Sequence, residues 1–168
     1  MSRPELALSL FFHLGATAIW IGGILITVIL VWPEMRRVLE TSPALYTLLS
    51  RLRKRFYPIS NISLAVLIVT GLFQMTADPN YDGMLTFDNE WTRVMLAKHV
   101  AIVFMALTGW TLQFAIVPAL ERVTLLRERA KGDEAEWQRL RRHEVRLTWV
   151  NAALGVAILG FSAWASVI

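Results

Sequence analysis

The chain contains no cysteine. That absence removes disulfides, thiolate metal centres, iron–sulfur clusters and cysteine nucleophiles together. Any metal must then be held by histidine, methionine or oxygen ligands. Histidine is itself scarce, with three in 168 residues. Nucleophile elbows, phosphate-binding glycine loops and the paired-histidine helix of metalloproteases are missing too, so no hydrolytic chemistry is assigned. Charge is absent over long stretches: Leu6 to Trp32 carries none in 27 residues.

What remains is strongly apolar. Hydrophobic residues make up 55% of the chain and the mean hydropathy is +0.49. Charges fall in blocks between apolar runs, the pattern of an integral membrane protein. Four runs stand out, at residues 6–32, 59–75, 94–120 and 147–168. They predict an all-α, four-helix transmembrane bundle forming one membrane domain over residues 1–168, with the lipid bilayer as its first partner. The first run is too long for a secretory leader and no small-residue cleavage site follows it, so it is expected to stay in the membrane.

The connections set the orientation. Arg36, Arg37, Arg51, Arg53, Lys54 and Arg55 lie between the first two runs. Arg122, Arg127, Arg129, Lys131, Arg139, Arg141, Arg142 and Arg146 lie between the last two. The middle connection, Thr76 to Thr92, has Asp78, Asp82, Asp88 and Glu90 and no basic residue. The positive-inside rule then places both termini outside, in a bacterial inner membrane, although Arg3 alone argues the reverse. The net charge of +4 is explained by these topology determinants, so no nucleic-acid partner is expected.

The basic connections also look helical. A mixed segment from Glu34 to Arg55 would lie along the inner surface, interrupted by Pro43. The third run continues past Pro118, breaks at Lys131-Gly132 and restarts at Asp133 with Glu136 three residues on, a capping-box pattern. These pieces would form cytoplasmic helical extensions. Pro79-Asn80 and Asp82-Gly83 mark turns in the outer loop, and Trp91 ends it at the interface.

Two histidines carry the functional argument. His13 lies seven residues into the first run, and His99 eight beyond Trp91. At about 1.5 Å per residue both sit roughly 10 to 12 Å inside the same boundary. Ionisable side chains at such depth are costly and mark functional sites by default. Paired imidazoles would clamp a haem iron from two faces, or bind copper directly. Helical spacing from His13 runs through Thr17, Trp20 and Thr27, and from His99 through Ala106, Trp110 and Gln113. Ser63, Thr70 and Gln74 form a polar stripe on the second span. Trp20 and Trp110 would line a flat macrocycle, Lys98 would face its carboxylates or snorkel outward, and Met95 offers a thioether to copper.

Simpler readings exist for each. An intramembrane histidine also serves as an interhelical hydrogen-bonding group. Asn61 and Asn151 read as packing hydrogen bonds, and His143 as a solvated or headgroup-facing residue.

The stretch HLGATAIWIGGILITVILVWPEMRR resembles the opening of the copper-resistance D (CopD) membrane domain. So do RFYPISNISLAVLIVTGL, the third-span Lys98 and RLTWVNAALGVAILG. The layout is also similar to HemJ-type protoporphyrinogen oxidases, with a histidine in the first span and a lysine in the third, here His13 and Lys98. The first resemblance implies copper uptake or export, the second redox work on haem b. His99, directly after the lysine, would add a second axial ligand and favour electron transfer over substrate oxidation, since no iron position stays open.

Three functions follow as expectations. The first is a b-type cytochrome-like protein with haem b between His13 and His99, exchanging electrons with quinol or a periplasmic redox protein. If it is an enzyme, it would be a haem-dependent oxidoreductase. The second is a copper-handling protein using the same histidines with Met95. The third is a structural subunit of a homo-oligomer or larger membrane complex.

Overall fold

The computed structural model describes residues 3–31, 33, 43–81, 83, 89–129 and 132–168. These fold into four long helices with no strand among the described residues. Helix α1 spans Arg3–Val31, α2 Pro43–Met75, α3 Glu90–Arg127 and α4 Glu134–Ala165. Each runs for at least 26 residues with an apolar window, long and apolar enough to cross a bilayer.

The ends have local causes. Pro43 is the first residue of α2, where its missing N–H costs no helical hydrogen bond, so it starts the helix rather than interrupting a surface segment. The Asn89 side chain accepts from the Thr92 amide at 2.8 Å, and Asp133 accepts from the Ala135 amide at 2.8 Å, capping α3 and α4. In the outer loop Gly83 adopts φ 126°, a conformation that favours glycine. Residues 34–42 of the expected surface segment, Asp82 of the expected turn and Lys131 of the expected break lie outside the described residues.

Helix α1 is not a uniform α-helix. It widens into π turns at Ala18–Gly22 and Thr27–Val31. The Thr17 and Thr27 hydroxyls donate to the carbonyls of His13 and Gly23, at 2.8 and 2.7 Å, where the backbone register changes. A third π turn, Leu112–Ile116, precedes Pro118 in α3 and accommodates the missing amide.

The bundle is apolar on its outside. Phe11, Leu14, Val69 and Phe114 are each 65–70% exposed. In water such a girdle would drive aggregation, but against acyl chains it is the expected surface. Helix α1 packs on α2, α3 on α4, and α1 also touches α4, whereas α2 and α3 barely meet. The core joins Trp20, Ile21, Leu64, Ala101, Met105 and Ile158. Beyond it, α3 and α4 continue as a hairpin around Leu120, Val123 and Leu140. There Arg127 stacks over Trp137, 4.8 Å from the ring centroid, and pairs with Glu134 at 2.9 Å.

The α1–α2 contact depends on one glycine. A Cβ on Gly23 would lie 2.5 Å from the Phe56 ring, whereas one on Gly22 meets nothing within 4 Å. Gly23→Ala is expected to cost about 1 kcal/mol, near the low end of overpacking because the ring can swing into the adjoining cavity. In a thermal melt of the detergent-purified protein that is a loss of about 2–4 °C, with Gly22→Ala unchanged as the control.

Candidate metal centre

The polar residues of α1 and α2 meet in a ladder near the acidic end of the bundle. Gln74 donates to the Ser9 hydroxyl at 3.2 Å, and Ser9 donates to the Thr70 carbonyl at 3.5 Å. One turn on, His13 Nδ1 lies 2.8 Å from Thr70 Oγ1. The Thr70 hydroxyl gives its only proton to the Val66 carbonyl, at 2.6 Å. It must therefore accept from His13, so Nδ1 carries the proton and Nε2 keeps the lone pair.

His99 reaches the same state by another route. Its Nδ1 lies 2.6 Å from the Met95 carbonyl, which can only accept. Again Nδ1 is protonated and Nε2 is the basic nitrogen. Donation from the distal ring nitrogen to a carbonyl or hydroxyl is how metal-binding histidines are usually oriented. Both rings are oriented by these contacts.

The two histidines border one cavity of about 130 Å³. Lys98, Trp20, Gly71 and Ser162 also line it. Gly71 of α2 faces the ring of His13, and a Cβ there would sit in contact with it, 3.4 Å from its Cε1. None of the lining residues is acidic. Lys98 and His99, neighbours about 100° apart on the helix, both reach this space because the lysine stem is long.

Other expected site residues lie elsewhere. Trp110 is 45% exposed and borders a second cavity, eleven residues and roughly 16 Å along α3 from His99. Met95 meets His99 through its backbone carbonyl, and its thioether is not among the groups lining the histidine cavity. The haem b expectation finds no support: about 130 Å³ accommodates a few waters or one ion, not a porphyrin. The electron-transfer role built on that haem loses its basis with it. Asn61 bonds Gln113 at 3.3 Å, and Asn151 accepts from Thr108 at 3.1 Å, as packing contacts. His143 is exposed.

The second cavity, about 430 Å³, opens where α2 and α3 part. At its basic end lies an ion-paired group in which Arg53 and Arg141, named above only as topology determinants, meet an acid. Glu144 on α4 is ion-paired with both Arg53 of α2 and Arg141 of its own helix. Their side chains are 2, 19 and 14% exposed. A lone acid inside the basic run RLRRHEVR was the available signal. Lys54 pairs with Glu121 at 3.3 Å nearby, tying α2 to α3.

No cluster of three or more histidine, aspartate or glutamate side chains able to hold a metal occurs among the described residues. The cavity therefore offers a pair of imidazoles, with the hydroxyls of Thr17 and Ser162 also on its lining. Searches of curated proteins and of solved structures give no match. A family model, copper resistance protein D, matches residues 50–165. That region holds most of α2 and all of α3 and α4, including Thr70, Lys98, His99 and Glu144, while His13 and Trp20 on α1 precede it. With four apolar membrane-length helices and a match over well beyond half its length, the chain belongs to the copper resistance protein D family.

Proposed function

We propose that the protein handles monovalent copper within the membrane, taking it up on the Nε2 atoms of His13 and His99. The observation that carries this is the shared protonation state of the two rings, each presenting its basic nitrogen in one small cavity. Imidazole suits copper among several metals, and a closed-shell Cu(I) ion accepts two ligands. Among the described residues no carboxylate lines the wall, and that lack disfavours a divalent ion more than Cu(I). By the positive-inside rule the histidine end faces outward and both termini lie outside, in a bacterial inner membrane.

Titration of the detergent-purified protein with Cu(I) under reducing conditions, against a coloured chelator, is the direct test. One copper per chain is expected, with no Soret absorbance from the purified protein. A chain that leaves all copper with a weak chelator sinks the proposal. Thr70→Val supplies a finer check, because it removes the acceptor that fixes His13 while leaving the ring in place. Loss of such an orienting partner weakens metal sites about 10–100-fold, which the same competition assay would read.

A further inference from the structure

The two cavities lie in series. The outer one is bordered by His13, Lys98 and His99, and the inner one extends to Arg53, Val117 and Glu144. Along α3, Lys98 to Val117 is nineteen residues, roughly 28 Å, close to the thickness of a hydrocarbon core of about 30 Å. Among the described residues, only Trp20 and Leu64 border both spaces. They stand 5 and 7% exposed in the core cluster. Trp20 also sits at the centre of the first π turn, Ala18–Gly22. Such turns recur at functional sites because the extra backbone residue re-aims a side chain.

We infer that Trp20 and Leu64 form the barrier of one transmembrane copper path, with the histidine cavity as its outer compartment and the α2–α3 cavity as its inner one. This rests on the copper reading above. The chemistry on the inner side favours release. Met105, fully buried beside the barrier, lines the inner cavity and offers a soft thioether to Cu(I). Beyond it stand the amides of Asn61, Gln113 and Asn151, hard oxygen donors that hold Cu(I) weakly. The Arg53–Glu144–Arg141 group closes the far end. An ion leaving two imidazoles thus meets one thioether and then hard amide oxygens once it passes the indole.

The cysteine-free chain permits a test independent of copper. Ser162→Cys reports on the outer cavity and Ser60→Cys on the inner one. In proteoliposomes, a charged membrane-impermeant methanethiosulfonate reagent is expected to modify each from one side only, and from opposite sides. Adding Trp20→Ala is expected to make both reachable from either side, and to let Cu(I) equilibrate across vesicles that otherwise retain it. Leu64→Ala serves as the second variant should Trp20→Ala not fold, as judged by gel filtration and circular dichroism. One-sided labelling retained in a folded barrier variant overturns the inference, as does two-sided labelling in the parent. If the thiol path opens but the parent binds no Cu(I), the barrier stands and the copper reading alone falls.

Discussion

Glu144→Ala is expected to be the most destabilising single substitution at the basic end of the bundle. The carboxylate is almost wholly buried and faces two guanidinium groups, Arg53 from α2 and Arg141 from α4, that are themselves mostly buried. Removing it leaves two like charges in a low-dielectric setting without their counter-ion. Breaking a buried pair in this way costs about 3–5 kcal/mol. Arg53→Ala is the milder change, because Arg141 still partners the carboxylate. Replacing the group together, as Glu144→Leu with Arg53→Met and Arg141→Met, is expected to be close to neutral, since apolar side chains avoid the desolvation that the charges carry. Thermal melts of the purified variants check the order. If Glu144→Ala melts with the parent, the group contributes nothing to stability and its role lies elsewhere.

The group also separates what was legible in the sequence from what was not. Charge blocks between apolar runs are enough to count the spans, because every charge in lipid is costly and so marks a boundary. The same rule misplaces the ends. Arg51 to Arg55 were assigned to a connection, yet they ride on α2, which starts at Pro43. Basic side chains are good helix formers, and a helix does not stop where the lipid does. Counting at the 1.5 Å rise put His13 and His99 at matching positions on their helices, and the two border one space. Trp110 shares the face of His99 but not its depth, and the face alone suggested a common site. Contacts between helices were out of reach. Nothing in RLRRHEVR says that its one acid meets Arg53, ninety-one positions earlier. Thr70 read as one member of a polar stripe, and only the meeting of α1 with α2 makes it the partner that fixes a histidine tautomer. Met95 is the opposite case: its side chain drew attention, while its carbonyl does the orienting.

His13→Ala is expected to remove stoichiometric Cu(I) binding altogether, and His99→Ala to do the same. A site of two imidazoles has no spare ligand: no third histidine, aspartate or glutamate joins them among the described residues. Losing one leaves a single imidazole nitrogen, roughly half of the donor set, to hold the ion. The expected loss exceeds the 10–100-fold weakening of Thr70→Val, which keeps both ligands and frees one to rotate. His143→Ala is the control, since that ring is exposed on α4, well away from the cavity. Chelator competition ranks the four variants: His143→Ala with the parent, Thr70→Val intermediate, and the two cavity histidines without measurable affinity. Copper retained at parental affinity by His13→Ala would move the site off α1 and onto the region that the family match covers, with His99 as its only imidazole there besides His143. An equal collapse in both histidine variants requires α1 and α3 to close on one ion, an arrangement that neither helix alone can supply.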